Sequence, residues 1–90
     1  QTESEIEAIA TAEPEVSEVH HLRTRRIGSH IAIEMHVRMP GNTSLYDAHL
    51  HATNVEQALR RRFGPSTYIN LHVEPLKVNG VYVKPSDTSL

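Results

Sequence analysis

Seven of the ninety residues are histidine and none is cysteine. The histidines are His20, His21, His30, His36, His49, His51 and His72, scattered through the chain rather than gathered as a tag. Imidazole is the commonest metal ligand among side chains. The lack of cysteine excludes disulfides and thiolate zinc sites, so a metal centre here must use imidazole and carboxylate. That borderline donor set suits zinc, and also cobalt, nickel, copper or iron. A carboxylate can bridge two ions, so four histidines and one acid are enough for two metals, with water in the open positions.

The clearest local pattern is His72-Val73-Glu74. In a strand, residues two apart project to the same side, so this triplet presents an imidazole and a carboxylate together. Residues 30–39 alternate strictly. Ile31, Ile33, Met35, Val37 and Met39 form one phase, and Ala32, Glu34, His36 and Arg38 the other. Residues 67–74 repeat the pattern, with Ile69, Leu71 and Val73 against Asn70, His72 and Glu74. If these two strands are near neighbours, His36 joins His72 and Glu74 on the polar face. Residues 16–27 read as an earlier strand. In strict alternation His20 falls in phase with Leu22 and Thr24, so it needs a bulge or loop at the strand start to reach that face.

The supporting elements follow from period and punctuation. Residues 2–13 read as a helix with a Thr2/Glu5 capping box and Ile6, Ile9 and Ala10 on one face. Pro14 ends it or follows its end. Gly28-Ser29 makes a turn, and Pro40-Gly41-Asn42 a break. Residues 44–63 read as the main helix. Ser44 and Asp47 suit a capping box, Leu45, Ala48, Ala52, Val55, Leu59 and Phe63 make an apolar stripe, and Gly64-Pro65 stops it. His49 sits in its first turn. His30 and His51 are read as solvated, and Arg60 to Arg62 as cations suited to the negative end of the helix dipole. Val78-Asn79-Gly80-Val81 allows a small hairpin, and Lys84 to Leu90 reads as a disordered tail. The order α-β-β-α-β predicts an α+β fold of two layers, with both helices on the apolar face of one sheet. Residues 1–76 form the domain and 77–90 the tail.

Composition narrows the function. The formal net charge is −2 with histidines neutral, which argues against nucleic acid. The four aromatics, Tyr46, Phe63, Tyr68 and Tyr82, do not make a base-stacking sheet. No apolar run approaches the roughly 20 residues needed to span a bilayer. The first residues are acidic rather than basic and apolar, so no signal peptide is read there. The chain begins at Gln1 and not Met, so a fragment or processed product with a membrane portion missing is expected. No nucleophile motif or phosphate loop is visible, and the expectation is binding rather than catalysis.

Taken in order, His20-His21-Leu22-Arg23-Thr24-Arg25, Ile33-Glu34-Met35-His36-Val37, Ala48-His49, Val55-Glu56-Gln57-Ala58-Leu59, Arg61-Arg62-Phe63 and Leu71-His72-Val73-Glu74-Pro75 resemble the C-terminal domain of cation diffusion facilitators. The resemblance covers about residues 2–75. It implies a ferredoxin-like, metallochaperone-like domain that forms a homodimer on the cytoplasmic side of the cell membrane, attached to an N-terminal transmembrane half that exchanges a divalent cation for protons. It also implies metal ligands at His20, His36, His49, His72 and Glu74. Zinc is the first choice of ion, with Co2+, Ni2+, Cd2+, Fe2+, Mn2+ and Cu2+ as others. Family members often carry Asp where Glu74 stands, one methylene shorter, and often Asp after the first histidine, where His21 here adds or swaps a ligand. Metal binding is expected to tighten the dimer and favour transport, and to weaken as protons compete at low pH. The alternative is a free-standing soluble metallochaperone, which a gene encoding this domain alone would favour.

Overall fold

The computed structural model describes residues 2–85. The elements are α1 (Thr2–Thr11), β1 (Glu18–Ile27), β2 (His30–Met39), α2 (Leu45–Phe63), β3 (Tyr68–Pro75) and a short pair, β4 (Lys77–Val78) and β5 (Val81–Tyr82). The expected α-β-β-α-β order is present. The first helix ends two residues early, and the first strand starts two residues late. Between them Glu15 takes a left-handed φ of 73° and turns the chain so that Val16 drops into the core.

The sheet order is β1-β2-β3. Gly28, at φ 60°, turns β1 back antiparallel on β2. Helix α2 is the crossover that returns β3 parallel to β2. Strand β2 is therefore central, and its whole apolar phase from Ile33 to Met39 is buried. Ile6 and Ala10 of α1 and Val55 and Leu59 of α2 close over it. Both helices thus cover one face of the sheet, the α+β two-layer architecture the alternation predicts.

Local chemistry sets the ends of α2. Ser44, in extended conformation, accepts a hydrogen bond from the Asp47 amide at 3.0 Å, the N-cap geometry. The Gly64 amide donates to the Arg60 carbonyl at 2.8 Å with φ 114°, a conformation that favours glycine. Two members of the expected apolar sets are not core. Leu45 is 87% exposed and Val73 is 41% exposed. Leu45 is the first residue of α2, and Val73 lies near the C-terminal end of the edge strand β3.

His51 corrects the reading of it as solvated. It is largely buried, and its Nδ1 lies 2.7 Å from Glu13 Oε2, which also accepts from Asn54 Nδ2 at 3.0 Å. Partial burial acts to raise the Glu13 pKa, but the hydrogen bonds from His51 and Asn54 and the His51 charge hold it below the ordinary glutamate value. A carboxyl depressed on folding contributes stability above its unfolded pKa and loses it as pH falls through the folded value. Glu13→Ala is expected to cost about 1–3 kcal/mol at neutral pH. That difference should shrink once the pH drops below the glutamate range. Urea denaturation at a series of pH values checks it, and a pH-independent difference would assign the loss to packing instead.

The small hairpin forms around Asn79-Gly80, with Lys77 opposite Tyr82 and Val78 opposite Val81. It is tied to the domain by the Leu76 amide on the Met39 carbonyl at 3.0 Å and the Val83 amide on the Leu76 carbonyl at 2.7 Å. The approach is close enough that a Cβ on Gly41 would stand 2.3 Å from the Val83 carbonyl oxygen, so only glycine fits there. Lys84 and Pro85 follow; the rest of the expected disordered tail, residues 86–90, lies outside the described residues.

Candidate metal centre

The uncovered face of the sheet carries the histidines, and strand register brings them together. His20 pairs with His36 across β1 and β2, and His36 with His72 across β2 and β3. Directly opposed residues share a face. The next row along is Glu18, Arg38 and Glu74.

His20 reaches this face because β1 is bulged. The register steps from His20 opposite His36 to Arg23 opposite Glu34, so His21 and Leu22 together oppose Met35. His21 sits at φ 53° within the bulge. Val19 and Leu22, three residues apart, both pack on the core. In straight alternation an odd separation would put them on opposite faces. The extra residue resets the phase, meeting the condition the sequence set for His20.

The bulge also adds His21 to the row. Ring centroids step from His20 to His21 at 6.4 Å, His21 to His36 at 5.0 Å, and His36 to His72 at 4.6 Å. The last pair is stacked, 14° from parallel, and the middle pair is edge-on at 62°.

Glu74 joins the imidazoles to a cation. Its Oε2 lies 2.7 Å from His36 Nδ1 and its Oε1 3.1 Å from Arg38 Nη1. Arg38 is only 6% exposed. It is held by Glu74, by Glu18 at 3.3 Å and by the Pro75 carbonyl at 3.3 Å, with the Tyr82 ring 5.8 Å away. The His36 hydrogen bond lowers the Glu74 pKa most. Burial opposes it, and the His36 and Arg38 charges and a Tyr82 hydrogen bond add to the lowering. Glu18, 2.5 Å from His20 Nε2, is lowered first by that contact. Both carboxylates are thus ionised anions beside imidazoles, which is the donor set a divalent cation needs.

The structure brings His20, His36, His72 and Glu74 to one surface. It does not bring His49 to them by any ring contact among the described residues. His49 is exposed on the first turn of α2, next to Ala48, which shares a hollow of about 180 Å³ with Val73, Glu74 and Pro75. Among the described residues no three histidine or acidic side chains converge closely enough to hold an ion as they stand. The stacked His36 and His72 rings show why: parallel rings do not aim their nitrogens at one point. The donor chemistry fits a zinc-like ion, and the side chains as they stand are directed by their hydrogen bonds, His36 to Glu74 and His20 to Glu18. Sequence reasoning placed Arg38 on the polar phase but not in the site. It had no register to show that both its cross-strand partners are glutamates.

Residues 1–76 match the family described as the cation efflux protein, cytoplasmic domain. The chain belongs to that family. A cation-efflux pump FieF of Salmonella arizonae is 45% identical over 74 residues, covering 82% of this chain and 24% of the pump. The chain therefore spans about a quarter of the length of the curated relatives it matches. Among solved structures, that of CzrB is 32% identical with a TM-score of 0.76, covering 84% of this chain and 94% of that one. The metal-bound C-terminal domain of the CzcD transporter from Thermotoga maritima is 30% identical with a TM-score of 0.75, covering 88% and 96%. The fold of this efflux-protein domain is thus that of cation diffusion facilitator cytosolic domains.

Proposed function

We propose that this domain is the regulatory part of a divalent-cation efflux transporter. It binds zinc or a similar ion through His20, His36, His49, His72 and Glu74, and binding tightens a homodimer on the cytoplasmic side of the membrane. The observation that carries the reading is the register, which sets His20, His36 and His72 abreast with Glu74 bonded to the central ring. The metal-bound CzcD domain and a zinc form of CzrB, similar in fold at 30% and 34% identity, support it.

The ion pairs indicate which groups would respond to metal. Arg38 is the counter-cation of Glu18 and Glu74. Glu74 and His36, whose ring Glu74 orients through Nδ1, would hold the ion, and its positive charge would compete with Arg38 for Glu74. His49 needs another source of closure. It stands among Leu45, Tyr46 and Leu50, which are 87%, 77% and 45% exposed. An apolar patch of this kind marks an interaction surface, and a second copy would cover it and bring the His49 turn to a shared centre. Metal then shifts the open and closed dimer populations by the difference in its affinity for them. In the full-length protein a transmembrane half preceding this domain carries the exported cation.

Zinc titration by calorimetry, paired with sedimentation equilibrium, tests this. Saturable binding with a shift toward dimer is expected, and at about 100 times Kd the ion should add about 2.7 kcal/mol to folded stability. A chain that dimerises but takes up no zinc would reduce the domain to a dimerisation scaffold.

A further inference from the structure

This inference rests on the metal reading of the uncovered sheet face and concerns His21, which lies outside the five ligands above. A side-chain-bearing residue rarely sits at positive φ, though histidine is among those enriched there. At φ 53° in the bulge, His21 is exposed and its ring turns toward His36. Nitrogen-to-zinc bonds are about 2.0–2.1 Å, which places the centroids of two imidazoles on one tetrahedral ion about 5 Å apart, with rings free to meet edge-on. The His21 and His36 centroids are 5.0 Å apart at 62°. The other ring pairs differ: His36 and His72 are stacked, and His20 and His21 stand 6.4 Å apart. Glu74 occupies Nδ1 of His36, which leaves Nε2 as the nitrogen to share.

We propose that His21 is a metal ligand, forming with His36 Nε2 a two-imidazole seat for a zinc-like divalent cation. The bulge then serves twice: it delivers His20 to the face, and it supplies one more nitrogen beside it. A nitrogen-richer site favours zinc, copper or nickel over manganese, which prefers oxygen ligands.

Long-range proton–nitrogen NMR of the histidine rings reads this directly on the whole chain as Zn2+ is added. Ring nitrogens of His21 and His36 Nε2 are expected to shift together and saturate together. The companion variant is His21→Asn, because asparagine also accepts the left-handed conformation and so keeps the bulge. Its metal-free melting should match the parent, while zinc affinity falls tenfold or more, since even partners one shell out cost 10–100-fold. His21 nitrogens that stay still while those of His36 and His72 move, or a variant that binds zinc as the parent does, would overturn the proposal and leave the metal reading intact. If no histidine nitrogen responds to zinc, the metal reading itself falls, and this proposal with it.

Discussion

Zinc binding is expected to vanish when His36, His49 and His72 are all changed to alanine. Together the replacements remove three of the four imidazoles in the proposed ligand set. A single lost partner around a metal costs about 10–100-fold, and losing three ligands of one site together leaves too few donors to hold an ion. The fold should survive. His49 and His72 are exposed, His36 is half-buried, and Glu74 keeps its Arg38 partner at 3.1 Å. Calorimetry beside circular dichroism separates the two effects. A folded variant with parental affinity would move the site elsewhere on the surface, with His20 and His21 as the remaining pair.

The second large effect is on stability, away from the histidines. Leu59 is fully buried on α2 and belongs to the cluster that joins both helices to β2. Leu59→Ala is expected to cost about 2–5 kcal/mol, from lost burial and the cavity left behind. Whole domains have only about 5–15 kcal/mol to lose. The melting temperature should fall by about 10 °C or more, and saturating zinc should recover part of the loss. Thermal denaturation with and without zinc measures both. A drop under about 1 kcal/mol would show that the core relaxes around the gap, contrary to the close packing assumed for it.

These two experiments divide the molecule as its strands do, one face for binding and one for folding. Alternation in 30–39 and 67–74 made that division legible from residue types alone. Period two needs only local sequence, and both strands keep it. The Ser44 cap and the Gly64 stop were legible for the same reason, since a helix end is satisfied by residues a few positions away. What needed three dimensions stayed hidden. His51 finds Glu13 at 38 positions' distance, and no local pattern announces such a pair. Leu45 continues a correct helical stripe to the first residue of α2, where period persists but cover does not. Arg38 was on the expected face, yet its two glutamates come from strands on either side of it. For His20 the alternation alone pointed away from the face; the family resemblance named it, and the bulge it would require is present in β1. The assignment of His49 to the same centre rests on the family resemblance and on the dimer proposed above.

The bulge in β1 also sets which kinds of sequence change the domain can absorb. For folding alone, position 21 asks only for a residue that accepts a left-handed φ, since its side chain lies in solvent and packs on nothing in the core. The core would also tolerate loss of one residue there. Removing one residue between Val19 and Leu22 would leave them two apart, a spacing that straight alternation keeps on one face, with a single histidine facing the uncovered side. The fold would survive that deletion and one imidazole would be lost from the row. The extra residue of the bulge is therefore a requirement of the histidine row and not of the core.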